Sequence, residues 1–255
     1  MSQPTVFAHR GFAGAYPENT VAAARGAVDA GADAVEIDVQ PTADGDVVVF
    51  HDRRLDGGAE SDGLTDRTGV VWEQSTADVT AARVLGTDEC VPRLEAMLRA
   101  IPEDVAVNVE LKNPGSDAVR PGETLTGDAR TAARERWHPF VESVLAVTDG
   151  FGHEVLYSSF CAGALAAVDT LGSTPRLAVL VAPGCTDAGA TLARRYGVEA
   201  VHPSLDDCEA GAAIADELDA ALNVWTVREW QETRRAVRAG ADGIIADYPG
   251  LTATV

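Results

Sequence analysis

Two histidines stand at the ends of short apolar runs, where an α/β protein places its reactive groups. His9 closes the run VFAH, and His51 closes the run VVVFH that follows a tight turn. Near neutral pH one imidazole can accept a proton while another donates one. Breaking a phosphodiester needs both a base for the attacking oxygen and an acid for the leaving alkoxide. The pair His9 and His51 is therefore a candidate acid-base pair.

Three carboxylates accompany these histidines. Glu36 and Asp38 lie two apart in AVEIDV, and Glu110 lies near the end of VAVNVEL. Side chains two apart on a strand point the same way, so Glu36 and Asp38 share a face. Carboxylates that converge repel each other unless a cation or basic side chains neutralise them. Oxygen ligands suit Mg²⁺, Ca²⁺ or Mn²⁺, which indicates a metal site; ordinary salt bridges are the alternative.

Two cations complete the candidate site. Arg10 follows His9, and Lys112 lies two residues after Glu110. Lys112 is the only lysine in a chain whose other basic residues are all arginine. A compact ammonium at this place is suited to act as a point charge on a phosphate oxygen. Arg10 and Lys112 therefore favour a substrate that carries negative charge.

The other three histidines are weaker candidates for a functional role. His202 ends a later apolar run and is a candidate to line the pocket, although its His-Pro pair could instead shape a loop. His138 and His153 have no neighbouring carboxylate at a strand end. We interpret both as structural or surface residues.

Eight apolar, β-rich runs alternate with alanine-rich stretches of helical period. The alternation predicts an α/β fold, a single (β/α)₈ TIM barrel over 1–255, with reactive groups at the carboxyl ends of the strands. A doubly wound open sheet is the alternative, but no G-x-G-x-x-G follows the first run. The predicted strands are 6–9, 34–39, 105–111, 154–159, 176–181, 199–203, 222–227 and 243–248.

One part of the chain interrupts the alternation. Asp44-Gly45 between apolar runs predicts a hairpin after the second strand. The polar, glycine-rich stretch from about 53 to 92 then predicts a small subdomain inserted over the barrel mouth. A second long loop, from Asn113 to Asp128, follows the third strand. Long loops on a barrel usually shape the active site.

The charge balance is strongly acidic, with 40 acidic against 20 basic residues and a net charge of −20. Such a surface repels nucleic acid and anionic membranes. The acidic residues are scattered along the chain, which favours a surface that keeps the protein soluble at high salt, as in a halophilic protein. An acidic face that docks a basic partner is the alternative.

The cysteines and the hydropathy of the chain indicate the cellular compartment. The four cysteines lack zinc-site spacing and predict free, mostly buried thiols in a reducing compartment. No secretory signal pattern and no bilayer-length apolar stretch is evident. We therefore expect a cytoplasmic protein without stable membrane insertion; its oligomeric state is left open.

Three segments together resemble one family. AHRGFAGAYPENTVAAA is similar to the H-R-G…P-E-N-T opening of the glycerophosphodiester phosphodiesterases. VEIDVQPTADGDVVVFHD resembles their E-x-D…T-x-D-G…V-x-H-D segment, and VNVELK their E-x-K. LTDRTGVVWEQST and VPRLEAML resemble the inserted segment and the following helix, and VWTV and GADGIIADYP the closing strands. The resemblance covers nearly the whole chain.

The resemblance implies a barrel with an insertion after strand two and a hydrolase of glycerophosphodiesters. It implies one divalent cation, Mg²⁺ or Ca²⁺ with Mn²⁺ as a further possibility, on Glu36, Asp38 and Glu110. His9 and His51 would be the acid-base pair. The phosphate would be held by Arg10 and Lys112, and the partner would be a small-molecule glycerophosphodiester.

The chain departs from the family pattern near the mouth. Arg228 stands where the family often has the asparagine of W-T-V-N, and Ala246 where T-D-Y-P is usual. Both changes bear on the substrate rather than on the reaction, and the leaving alcohol stays open. Trp225 either stacks on that alcohol or serves the core or rim. The segment Pro17–Thr20 is interpreted as a helix start capped by Asn19 or Thr20.

Two other functions remain open. The same barrel could be a phospholipase D-like lyase on sphingomyelin or lysophospholipid that stops at a cyclic phosphate, although the long insertion and the missing membrane-facing apolar segment argue against it. A phosphodiester-binding module without catalysis is the other alternative. Such a module would be expected to have lost a histidine or a carboxylate, and this chain keeps all five.

Overall fold

The structure, a computed structural model, describes residues 3–57 and 64–253. Eight parallel strands close into a barrel, because β1 pairs with both β2 and β9. A ninth strand, β3, pairs antiparallel with the end of β2. All eight predicted runs form barrel strands, so the (β/α)₈ prediction is confirmed and the open sheet is wrong. The strands are β1 Thr5–Ala8, β2 Ala34–Pro41, β3 Val47–Val49, β4 Ala106–Leu111, β5 Val155–Ser159, β6 Arg176–Val181, β7 Ala200–Pro203, β8 Ala221–Val227 and β9 Gly243–Ala246.

Helices cover the outside of the barrel. Their apolar faces pack on the outward side chains of the strands, such as Val35, Ile37 and Val39 of β2, and form the main core. These helices are α1 Val21–Asp29, α3 Leu94–Ala100, α4 Gly127–Thr148, α5 Ala162–Leu171, α6 Thr186–Tyr196, α7 Cys208–Leu218 and α8 Trp230–Arg238. The short helix α2 Thr76–Thr80 belongs instead to the segment after β3.

The longest helix, α4, was not anticipated from the sequence. Its 22 residues include ten polar ones and Pro139, and an interior proline normally ends or kinks a helix. Packing outweighs that propensity, since Trp137 and Phe140 are buried. The helix also contacts α5 closely: a Cβ on Gly163 would lie 2.6 Å from the Trp137 ring. Tertiary contacts of this kind are invisible to local periodicity.

The inside of the barrel is packed mainly by small and medium side chains. Phe7, Ala34 and Ile245 form one cluster, and Leu156, Ala178 and Ala200 form another. Small residues fit the narrow interior of an eight-stranded barrel. Glu36 lies two residues beyond Ala34 on the same face of β2. The apolar floor therefore lies directly beneath the polar mouth.

The hairpin and the segment after it have a small core of their own. Gly45 takes a positive φ of 84° in the predicted Asp44-Gly45 turn, a conformation open to glycine at little cost. The residues of the second core are Val48, Phe50, Leu55, Val71, Val79, Ala82, Val84 and Val91. Strand β3 joins the two cores, since Val47 and Val49 pack in the main core while Val48 and the following Phe50 pack in the second, and His51 comes directly after Phe50.

Two further observations concern the hydropathy of the helices and the state of the cysteines. Within the described residues, none of the helices combines the length and the apolar character needed to cross a bilayer. All four cysteines are free, and Cys161 and Cys208 are buried. The prediction of free thiols is confirmed, whereas only two of the four are buried, since Cys90 and Cys185 are partly exposed.

Candidate active site

The predicted site residues meet at the carboxyl ends of the strands. A cavity of about 250 Å³ opens there. Seven of the eight side chains line it, and the eighth, Asp38, is fully buried beside it. The seven are His9, Arg10, Glu36, His51, Glu110, Lys112 and Trp225. Residues separated by more than 200 positions thus share one pocket.

Strand register brings the three carboxylates together. In the pairing of β2 with β4, Asp38 lies opposite Glu110 and Glu36 lies opposite Asn108. Oxygen atoms of Glu36, Asp38 and Glu110 all lie within 4.8 Å of one another. All three residues are buried, and Glu36 Oε1 and Asp38 Oδ1 have no hydrogen-bond partner. This donor set fits a hard divalent cation, which prefers carboxylate oxygen.

The protonation preferences of the carboxylates differ. Burial raises the pKa of Glu36 well above its ordinary value, and the charges of Asp38 and Glu110 raise it further. Burial also opposes ionisation of Asp38, but Lys112, His51 and Arg10 hold its pKa below the usual range. The protein alone therefore leaves a repulsion at Glu36 that a cation would relieve.

A strained turn after β1 orients the first of these carboxylates. His9–Gly11 form a short 3₁₀ turn, in which Arg10 has a positive φ of 51°. That conformation is uncommon for a residue with a side chain. It directs the backbone N–H of Arg10 to Glu36 Oε2 at 2.8 Å. The turn thereby fixes Oε2 of Glu36, whereas Oε1 has no hydrogen-bond partner.

The segment Pro17–Thr20 does more than begin a helix. Thr20 caps α1 by accepting a hydrogen bond from the N–H of Ala23, as expected. Asn19, however, donates from Nδ2 to Asp38 Oδ2 at 2.8 Å and accepts from the Asp38 N–H at 3.2 Å. Glu18 pairs with Arg10 at 2.9 Å. The segment therefore begins α1 as predicted and, through Asn19, also braces the carboxylate of Asp38.

Both predicted phosphate-binding cations contact the carboxylates. Arg10 Nε lies 3.2 Å from Asp38 Oδ2. Lys112 Nζ lies 2.7 Å from Glu110 Oε1 and 3.6 Å from Asp38 Oδ1. Burial lowers the pKa of Lys112, but Glu110 and Asp38 raise it more, so its net shift is upward. Lys112 therefore remains charged at the cavity wall, near the ring of Phe160.

His9 is held by a carboxylate from the other end of the chain. Its Nδ1 lies 2.6 Å from Asp247 Oδ1, just beyond β9. Arg228 Nε donates to the second oxygen of Asp247 at 2.7 Å. Burial opposes ionisation of Asp247, but His9 and Arg228 lower its pKa below the ordinary value. With Nδ1 engaged, the Nε2 side of His9 is left for the cavity.

His51 has a similar arrangement with a different partner. Its Nδ1 lies 2.5 Å from Oδ1 of the adjacent Asp52. The backbone around it is held by Gln40, whose Nε2 lies within hydrogen-bonding distance of the carbonyl oxygens of Phe50, His51 and Asp52. Both histidines are thus oriented through Nδ1, although Asp52 is more exposed than Asp247.

The other histidines lie apart from this chemistry. His202 is completely buried inside the barrel, where burial lowers its pKa to about 3. Its Nε2 lies 2.9 Å from Asn223 Nδ2, and its side chain is not part of the cavity wall. The suggestion that His202 lines the pocket is therefore wrong. His153 contacts the carbonyl of Ile101, away from the strand ends that form the cavity.

Trp225 lies at the mouth and is held in place. Its Nε1 donates to the carbonyl of His202 at 2.8 Å. Its ring meets Phe160 edge-on, with centroids 5.6 Å apart. The indole is half-buried, with one part packed and one part in the cavity wall. Packing and contact with a ligand are compatible at this position.

Sequence reasoning missed Asn19, Asp247 and Arg228 as parts of the site. A-D-Y-P was noted only for its alanine, although the aspartate beside it is the one that contacts His9. A signal was present, since Asp247 directly follows an apolar strand, as the other site residues do. What no local pattern could supply was the pairing of β9 with β1.

Comparisons with known proteins agree with this geometry. The sequence model of the Glycerophosphoryl diester phosphodiesterase family matches residues 9–251. A glycerophosphodiester phosphodiesterase of Bacillus altitudinis is 30% identical over 256 residues, which cover 96% of this chain and 94% of that protein.

Two solved structures share the fold. A protein of Silicibacter pomeroyi superposes with a TM-score of 0.80 at 27% identity, covering 98% of this chain and 92% of that one. A phosphodiesterase of Oleispira antarctica, solved in complex with its product sn-glycerol-3-phosphate, superposes with a TM-score of 0.76 at 21% identity. That match covers 97% of this chain and 94% of the other.

Proposed function

The chain belongs to the glycerophosphoryl diester phosphodiesterase family, and from that membership and the geometry of the barrel mouth we propose that it hydrolyses glycerophosphodiesters to an alcohol and glycerol phosphate. The single observation that carries the proposal is the meeting of three buried carboxylates with two Nδ1-oriented imidazoles in one cavity. The Oleispira antarctica relative holds sn-glycerol-3-phosphate, which supports a glycerol phosphate product here.

Glu36, Asp38 and Glu110 are the residues that would hold the cation. When bound there, a divalent ion supplies positive charge that stabilises a phosphate in the transition state and favours deprotonation of a nearby hydroxyl or water. The unpartnered oxygens of Glu36 and Asp38 support this assignment. We propose Mg²⁺ or Ca²⁺, with Mn²⁺ as a further candidate, because all three ligands are hard oxygen donors.

The proton transfers are assigned to the two imidazoles. His9, neutral at Nε2, accepts the proton of the attacking hydroxyl as its oxygen bonds to phosphorus. His51, protonated at Nε2, donates a proton to the leaving oxygen as the bond between phosphorus and that oxygen breaks. Asp247 and Asp52 hold the rings and stabilise the imidazolium forms.

Two attacking groups are compatible with this scheme. Water can attack phosphorus directly. Alternatively, the neighbouring hydroxyl of the glycerol attacks first and gives a cyclic phosphate. Water then opens that ring, with the two histidines exchanging roles. An enzyme that stops at the cyclic phosphate is a lyase, and phosphorus NMR of the product mixture separates the two outcomes.

Arg10 and Lys112 are proposed to hold the phosphate through their charges. Both line the cavity beside the carboxylates, where cations are needed to admit an anion to a protein of net charge −20. Trp225 is proposed to contact the organic part of the substrate, since part of its half-buried ring belongs to the cavity wall. We also propose that the segment from about 53 to 92, of which the structure describes 53–57 and 64–92, is a subdomain inserted over the barrel mouth.

The decisive test is a substrate screen. Purified protein would be incubated with several glycerophosphodiesters, each with Mg²⁺, Ca²⁺ or Mn²⁺, and release of alcohol and glycerol phosphate followed. We expect turnover with at least one pair. Binding without turnover for every pair would favour a binding module instead. Sphingomyelin and lysophospholipids serve as the comparison substrates for the lyase.

The free thiols bear on where the reaction takes place. Four unpaired cysteines are typical of a reducing compartment, and we propose the cytoplasm. Labelling of cell fractions with an antibody to the protein checks this. Recovery in the membrane or extracellular fraction would contradict it.

Asp247 is expected to act as a positioning residue for His9. Replacing Asp247 with Ala should lower kcat by roughly tenfold to a hundredfold, because a hydrogen bond to a charged group contributes about 1.5–3 kcal/mol. KM should change less, since Asp247 is not part of the cavity wall. Steady-state kinetics would measure both. Asp169→Ala, on the exposed side of α5, is the matched control, and an unchanged kcat in Asp247→Ala would contradict the role.

Added salt is expected to raise both activity and melting temperature. The net charge of −20 makes the folded chain repel itself and its anionic substrate. The screening length falls from roughly 10 Å at 0.1 M salt to about 3 Å at 1 M, which relieves both repulsions. A KCl series with thermal melts and initial rates checks this. If each is flat or falls, the acidic surface requires another explanation, such as a basic partner.

A further inference from the structure

Arg228 is a third cation at the mouth, and it lies where the active-site cavity meets a second depression. The second depression has a volume of about 450 Å³ and lies between the end of β7 and helix α8. Trp225, Thr226 and Arg228 belong to the walls of both. We call the second depression the side groove. The two depressions therefore adjoin at these three residues.

The guanidinium of Arg228 is only partly engaged. Its Nε donates to Asp247, which fixes the orientation of the group. Among the described residues, no hydrogen bond or ion pair involves its two terminal nitrogens, and the side chain is 62% exposed. Arg10, by contrast, pairs with Glu18 and Asp38, and Lys112 pairs with Glu110 and Asp38. Asp247 thus orients the guanidinium of Arg228 through Nε, and its two terminal nitrogens remain available as hydrogen-bond donors.

The carboxylates of the side groove are already occupied. Asp206 Oδ1 pairs with Arg235 Nη1 at 3.1 Å. Glu232 Oε2 accepts from the backbone N–H groups of Arg228 and Glu229 at the start of α8. Neither carboxylate contacts the guanidinium of Arg228 among the described contacts. The terminal nitrogens of Arg228 are therefore not engaged by the described carboxylates of the side groove and remain available as donors.

We propose that Arg228 binds a second anionic group of the substrate, a phosphate or a carboxylate, in the part of the molecule that reaches the side groove. The inference deepens the proposed function and rests on it. A guanidinium offers parallel N–H donors that match either anion. Since Nε is held by Asp247, the group is already oriented before the substrate arrives. Substrates that carry the extra anion are preferred over those that lack it.

The test compares substrates that differ by one anionic group. Glycerophosphoserine differs from glycerophosphoethanolamine by a carboxylate, and bis(glycerophospho)glycerol differs from glycerophosphoglycerol by a glycerol phosphate unit. For each pair, the ratio of kcat/KM with the extra anion to kcat/KM without it is measured in the wild-type protein and in Arg228→Gln. We expect Arg228→Gln to lower this ratio about fivefold to tenfold, the usual worth of one exposed charge-assisted contact.

Three further measurements separate this role from others. Arg228→Lys keeps the charge and should retain part of the preference. Arg194→Gln removes the same charge from the distant pair with Glu217 and should leave the ratio unchanged. The preference should also weaken in 1 M KCl, since exposed charges are screened.

The outcomes are distinguishable. A drop in the ratio for one pair only identifies that anion, phosphate or carboxylate, as the ligand of Arg228. If Arg228→Gln slows all substrates equally, or changes nothing, the anion subsite is overturned, and equal slowing assigns Arg228 to the support of Asp247. If the wild-type protein hydrolyses none of the four, the proposed function itself fails.

Discussion

Exhaustive removal of divalent ions with EDTA is expected to abolish hydrolysis of glycerophosphodiesters, and Mg²⁺, Ca²⁺ or Mn²⁺ should restore it. The reason lies in the three buried carboxylates, two of which have an oxygen without a hydrogen-bond partner. Arg10 and Lys112 offset only part of their charge. Without the cation, the raised pKa of Glu36 also favours its protonation. Initial rates before and after dialysis, with each metal added back, measure the effect.

Direct binding gives a second readout. Glu36→Gln should abolish binding of Mg²⁺ or Ca²⁺ in calorimetry, while the unliganded protein melts no lower than wild type, because glutamine resembles the neutral form that the raised pKa of Glu36 already favours and can still accept the Arg10 N–H. Glu142→Gln, on the exposed side of α4, is the matched control and should bind as wild type does. Full activity after EDTA treatment would contradict the assignment of a metal site to these carboxylates.

Replacing either His9 or His51 with Ala is expected to lower kcat by about 10²–10⁴-fold, the usual contribution of a positioned acid or base. Each ring is oriented through Nδ1 by its own carboxylate, so each presents one nitrogen to the cavity. Both rings lie in the cavity wall with exposed surface, so the fold should survive. Circular dichroism checks the fold, and steady-state kinetics measures kcat.

The matched control is His138→Ala on α4, outside the cavity. It should leave kcat unchanged. The pH profiles of the two active-site variants add information, since loss of the base and loss of the acid remove different limbs of the curve. A His51→Ala protein with nearly normal kcat would show that another group protonates the leaving oxygen.

Much of the barrel follows from local patterns. Each apolar run of four to eight residues became a strand because its outward side chains pack under helices. The position of Glu110 beside Asp38 follows from alternation and parallel register. For this reason the carboxylates, Arg10, Lys112 and both histidines could be named from the sequence.

The parts that could not be predicted depend on contacts between distant segments. His9 and Asp247 are 238 residues apart, and only barrel closure brings them together. His202 has the same strand-end context as the site histidines, yet the barrel interior buries it. Helix α4 forms against its proline because Trp137 and Phe140 pack inward. Local periodicity carries no information on any of these.

The pairing of β1 with β9 can form only after β9 has been synthesised. The carboxylates and both imidazoles belong to the first half of the chain, and they leave the ribosome early. Until β9 emerges, β1 has one unpaired edge and His9 lacks Asp247. An unpaired edge is a template for aggregation, so the nascent chain is vulnerable until the last strand docks. A chain that lacks β9 would keep the three carboxylates and both imidazoles but would leave His9 without the carboxylate that orients its ring.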